Sequence, residues 1–121
     1  MPHRVQLGRT AGWRMPANTV KVDRTTIWGN PFRVGDQVDA GHGTVEIKDA
    51  ATAVVLFRDQ LDRDGGYLGH TARRGSAHVW VSTDDIRREL RGKNLACWCR
   101  LGTPCHADVL LQLANAAQGE G

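Results

Sequence analysis

The sequence predicts an α/β fold: one small domain with a sheet of about three to five strands, covered by about three helices. Three observations carry this expectation. Leu95-Ala-Cys-Trp-Cys99 is apolar on both alternations, the pattern of a strand buried on two sides beneath helices. Ala50, Ala53, Val54, Phe57 and Leu61 recur at helical spacing and make one apolar stripe. Helix, strand, loop and helix signals then follow one another over residues 83–117, an order that favours parallel pairing. A chain of 121 residues, 40% hydrophobic and 24% charged, has room for one such domain. Residues 1–118 are assigned to it, with a disordered tail at 119–121.

Along the chain, Arg4 to Leu7 alternates polar and apolar residues, and Val20 with Val22 does so over a shorter span. Both read as short strands. Gly8 to Pro16 between them is an irregular basic loop holding Trp13. Residues 33–48 are glycine-containing and read as a loose hairpin around Gly41-His42-Gly43. Asp49 is a good cap for the helix carrying the apolar stripe, and Gly65-Gly66 stops it. Residues 64–77 read as a mobile, polar connection, and His78 to Ser82 as a strand through Val79 and Val81. Ser82 caps a short helix, with Asp84 and Asp85 at its positive end, Ile86 and Leu90 on one face and Gly92 at its close. After the strand at 95–99, Thr103 reads as a cap and Pro104 as the first residue of a helix running to about Ala117. Val109, Leu110, Leu113 and Ala114 are its inward side.

The longest apolar runs, Ala53 to Phe57 and Leu95 to Cys99, fall far short of the about 20 residues of a membrane span. No basic start leads into an apolar stretch, so a cytoplasmic protein is expected. The net charge of +3 is unevenly spread. Residues 1–35 hold Arg4, Arg9, Arg14, Lys21, Arg24 and Arg33 against Asp23, and residues 86–106 hold Arg87, Arg88, Arg91, Lys93 and Arg100 against Glu89. If the two segments meet they make a positive face that attracts phosphates; the alternative is an ordinary solvated surface.

Three cysteines within residues 97–105 are a poor disulfide framework and suit a reducing compartment. Three readings compete for Cys97, Cys99, Cys105 and His106. In the first they hold zinc: strand alternation puts Cys97 and Cys99 on one side, although the spacing is not that of a common finger. In the second Cys105 is a reactive thiolate, favoured by the first turn of a helix and by Arg100, with His106 as its acid/base partner. In the third these residues only fill the core and cap the helix. A strand end followed by a helix start is also where open α/β sheets bind ligands. His3, His42, His70 and His78 read as surface residues.

Arg24-Thr25-Thr26-Ile27-Trp28-Gly29-Asn30-Pro31-Phe32 is the second informative stretch. Arg24 and Thr25 have the chemistry to hold a phosphate or carboxylate. Trp28 can stack on a base, Gly29 allows close backbone approach, and Asn30 before Pro31 fixes an extended turn and orients the anion. The alternative is a loop that tucks Trp28 and Phe32 into the core. P-loop, dinucleotide-fingerprint, serine-hydrolase and zincin motifs are absent.

These residues, with Leu90-Arg-Gly-Lys-Asn-Leu-Ala-Cys97-Trp-Cys99 and Pro104-Cys105-His106-Ala107-Asp108-Val109-Leu110, resemble the domain-of-unknown-function 4326 family of bacterial and phage proteins. The resemblance covers nearly the whole chain. It implies a compact cytosolic domain whose signature residues are those just named, and it implies no activity.

The expected function is a small enzyme, or enzyme-like binder, of an anionic nucleotide or nucleic-acid ligand at the Cys/His site. Cys105, His106 and Asn30 would be catalytic, and Arg24, Thr25, Trp28, Gly29, Asn30 and Arg100 would bind the ligand. The alternative is a non-enzymatic module, zinc-stabilised or metal-free, that binds nucleic acid or a protein partner.

Overall fold

The computed structural model describes residues 2–39, 41, 43–71 and 77–116, and the tail expected at 119–121 lies outside them. Its centre is a three-stranded parallel sheet. The middle strand, β7 (Asn94–Cys97), lies between β1 (Arg4–Gln6) and β2 (Thr19–Lys21), with Val5 opposite Ala96 and Val20 opposite Leu95. Leu95, Ala96 and Cys97 are all buried, as a double-sided apolar run requires. Two antiparallel ribbons flank this sheet: β3 (Gln37–Asp39) with β4 (Thr44–Glu46), the expected hairpin, and β5 (Gly66–Thr71) with β6 (Ala77–Ser82).

Three helices complete the α/β domain. Helix α1 (Ala50–Asp64) begins where Asp49 accepts hydrogen bonds from the Thr52 amide and hydroxyl, and it ends on Gly65 in the left-handed conformation. Ala53, Phe57 and Leu61 are its buried stripe. Helix α2 (Thr83–Leu90) opens with a reciprocal capping box between Ser82 and Asp85 and buries Ile86 and Leu90. Helix α3 (His106–Asn115) buries Val109, Leu110 and Ala114 and packs on both α1 and α2.

Three expectations need correction. The strand expected over 95–99 stops at Cys97, and Trp98 and Cys99 lie in the bend beyond it, where Trp98 is exposed. Within the mobile, polar connection expected over 64–77, residues 72–76 lie outside the described residues, and residues 66–71 instead form strand β5. Tyr67 is fully buried there, its ring edge-on to Phe57 and its hydroxyl donating to the Ile27 carbonyl. Gly69 lies so close to the loop before Trp28 that an added Cβ would sit 2.3 Å from the Ile27 oxygen. Close backbone packing, rather than an alternating apolar pattern, makes this strand. The last helix also starts two residues later than its Pro104 signal. The Thr103 hydroxyl donates to the Arg100 carbonyl within the turn, and Cys105 takes the cap position without a side-chain hydrogen bond.

Candidate functional site

The turn between β7 and α3 is held from outside by the first strand. Arg4 donates to the Thr103 and Arg100 carbonyls and pairs with Asp108 at 2.9 Å, with its side chain 7% exposed. A single guanidinium therefore fixes both the loop and the first turn of α3. Arg9 lies over the Trp98 ring, 4.2 Å from its centroid, so the N-terminal basic segment does meet the C-terminal one.

This scaffold gathers the cysteines. The sulfurs of Cys97, Cys99 and Cys105 all lie within 4.8 Å of one another, close enough to hold one metal ion. Cys97 and Cys105 are buried and their sulfurs are 2.9 Å apart; Cys99, just past the strand end, is only partly buried. His106 is buried behind them. Its Nε2 is 2.7 Å from the Val22 carbonyl oxygen, to which it can only donate. In the neutral ring the lone pair is then on Nδ1, 3.8 Å from the Cys105 sulfur.

Burial keeps the His106 ring pKa below its usual value, so the neutral form is favoured. Hydrogen bonds from Cys105 and Cys97 draw the Cys99 thiol far below its ordinary range, helped by the positive charge of Arg4. Contact with Cys97 and Cys99, together with burial, pushes Cys105 upward. The surroundings thus divide the thiols, with Cys99 drawn down and Cys105 pushed up.

The sulfurs form one wall of a cleft of about 590 Å³. Asp23, Arg24 and Thr25 form another part, Asn30 and Arg33 a third, Trp98 borders Cys99, and Ala50, Ala53 and Val54 of α1 close the far side. Of the residues singled out in the sequence, the fold brings Arg24, Thr25, Asn30, Cys97, Cys99, Cys105 and His106 to this cleft. Trp28 is not among its lining residues: it is 9% exposed and belongs to the hydrophobic core. Its apolar area is worth more buried than stacked at a surface. Gly29 packs against its own loop, where a Cβ would sit 2.6 Å from the Arg24 Cα. Arg100 contributes its carbonyl, which accepts from Arg4 and Thr103, and its side chain does not line the cleft.

Asn30 and Arg24 are partly committed to structure. Asn30 donates to the Ala53 carbonyl and accepts from the Phe32 amide, tying the loop to α1. Arg24 donates to the Asn30 and Phe32 carbonyls. Three lining residues were not anticipated: Asp23, Arg33 and Trp98. Asp23 is 6% exposed. Burial opposes its charge, but the Thr25 hydroxyl and amide, the Trp98 indole and nearby Lys21 outweigh it, and the carboxyl pKa lies below the usual value. The sequence signal available for it was Asp two residues before Thr, the spacing of an Asx turn.

A cysteine-rich strand end facing a helix start, over a cleft with two arginines, defines a small α/β domain with a Cys/His site. The chain belongs to the family described as Domain of unknown function (DUF4326), whose profile matches residues 5–116. No curated protein and no solved structure matches it.

Proposed function

We propose that the cleft binds an anionic, nucleotide-sized ligand and presents it to the Cys99 sulfur, making the protein an enzyme or enzyme-like binder. One observation carries this reading: Arg24, Arg33 and the cysteine cluster line the same cavity, and its volume is in the range of small-molecule sites. Arg33 supplies the main anion contact, because Arg24 already serves two carbonyls. Thr25 and Asn30 border the ligand, Trp98 offers an aromatic ring in the lining, and Cys99 is the one of the three sulfurs whose residue is only partly buried. Cys105 and His106 stand behind it. Calorimetric titration with ribonucleoside 5′-monophosphates tests the reading. Binding is expected to weaken about tenfold or more in Arg33→Glu, as loss of a charged contact with reversal of sign implies. No detectable binding of any of the four at millimolar concentration overturns it.

A second reading is favoured by the three clustered sulfurs: a zinc ion that stabilises the fold. The donor types fit, with His106 Nδ1 as a fourth ligand. Two sulfurs on a tetrahedral zinc lie about 3.8 Å apart, so Cys97 and Cys105 would have to separate by about 0.9 Å from their present 2.9 Å. Metal analysis of the purified protein is expected to give about one zinc per chain under this reading, and chelation to lower the melting temperature. A metal-free protein with unchanged stability in chelator rejects it.

A further inference from the structure

We propose that the cysteine cluster is a dithiol centre oxidised by hydroperoxides, with Cys99 as the attacking sulfur and Cys105 as the resolving one. The three sulfurs are divided by their surroundings. Cys99 is partly exposed at the cleft, while Cys97 and Cys105 are buried directly behind it. A peroxide entering the cleft meets Cys99 first. The second thiol that such chemistry needs is already in place, within 4.8 Å.

The Cys99 sulfur attacks one peroxide oxygen; the O–O bond breaks as the S–O bond forms. The departing oxygen leaves as an alcohol, or as water from hydrogen peroxide, taking up a proton equivalent to the one that Cys99 released on ionising. The Cys105 sulfur then attacks the sulfenic sulfur; the S–S bond forms, the S–O bond breaks, and hydroxide leaves as water with the Cys105 proton. Two thiols are oxidised by two electrons in total, and one hydroperoxide is reduced.

His106 has the geometry to assist the second step. Its Nε2–H is held by the Val22 carbonyl, which leaves the Nδ1 lone pair beside the Cys105 sulfur to take the proton. Cys97 is the less suitable resolving thiol, because it stands only two residues from Cys99, whereas Cys105 arrives across the turn. The proposal goes beyond the nucleotide reading and does not depend on it: it needs only the clustered sulfurs and the partial exposure of Cys99.

Treating the chelator-washed, reduced full chain with one equivalent of hydrogen peroxide tests it. The denatured thiol count should fall from three to one, with a mass loss of about 2 Da and a Cys99–Cys105 cross-link on peptide mapping. Cys105→Ser should instead accumulate a sulfenic acid on Cys99 that dimedone traps. Cys99→Ser should react at least about tenfold more slowly. Should either variant fail to fold, iodoacetamide competition on the unaltered chain decides: Cys99 should be alkylated first, and its alkylation should block the disulfide. Three thiols surviving peroxide, first labelling on Cys105, or a cross-link that omits Cys99 would overturn the proposal.

Discussion

Trp98 donates its indole N–H to the buried carboxylate of Asp23 across 2.9 Å, joining the turn after β7 to the loop after β2. The two residues are 75 positions apart, and both line the cleft. Trp98→Phe keeps an aromatic ring and removes the donor. A hydrogen bond to a charged group at a partly exposed site makes a loss of about 1–2 kcal/mol the expected outcome, read by urea unfolding. Full retention of stability would mean that the carboxylate is satisfied without Trp98.

Acid should expose the same carboxylate. The folded pKa of Asp23 lies below that of the unfolded chain, so unfolding takes up a proton between the two values. Its contribution to stability is therefore present above about pH 4, the unfolded value, and is lost as pH falls through the folded one. Asp23→Asn should be less stable than the parent at pH 7, and the gap should narrow as pH is lowered to 3. Unfolding midpoints across that range measure it; a gap that stays constant contradicts the assignment.

Gly69 tolerates no side chain. A Cβ there would lie 2.3 Å from the Ile27 carbonyl oxygen, and backbone cannot swing aside as a flexible side chain does. Gly69→Ala is expected to cost about 2–4 kcal/mol or to prevent folding, as severe overpacking does. Gly12→Ala is a useful contrast. Nothing lies within 4 Å of its added Cβ, and only the positive φ of 85° opposes it, so about 1 kcal/mol is expected. Thermal melting of both variants makes the comparison; equal losses would show that space at position 69 is not limiting.

Trp28 should behave as a core residue. Trp28→Ala is expected to lose about 3–5 kcal/mol. Trp28→Phe, if folded, should bind ligand as the parent does, because the ring does not line the cleft. A selective loss of binding in a stable Trp28→Phe protein would return the tryptophan to the site.

Arg4 is expected to act on the cysteine turn from outside. Arg4→Gln removes the ion pair with Asp108 and contacts to two carbonyls, at a cost of about 2–3 kcal/mol for a mostly buried charged donor. The loop it releases should also be cut faster by protease under native conditions than in the parent. Unchanged cleavage between residues 99 and 106 would show that the turn holds itself.

Much of this fold could be read because its signals are local. The α1 stripe, the Asp49 and Ser82 caps and the doubly apolar run of β7 depend on neighbours within about four residues, where periodicity speaks directly. Strand β5 could not be read so. Tyr67 stands among glycines, and its burial depends on Phe57 and on the Ile27 carbonyl, neither of which leaves a mark in the local pattern. The same limit applies at the site. Closeness in the chain keeps Cys97 and Cys99 together, although Cys99 lies past the strand that alternation assumed, and the arrival of Cys105 depends on a turn pinned by Arg4, about a hundred residues away. Trp28 was equally suited by composition to core or ligand, and only its packed surroundings decide between them.

The sheet's order has a consequence for how the molecule comes into being. β7 separates β1 from β2, so the two earliest strands share no ladder of their own until residues 94–97 slide between them. During synthesis, residues 4–93 must leave the ribosome with those edges open, and closure spans about ninety residues. The central sheet therefore cannot close before β7 emerges, and a ribosome stalled short of it would carry two orphan strands suited to chaperone capture.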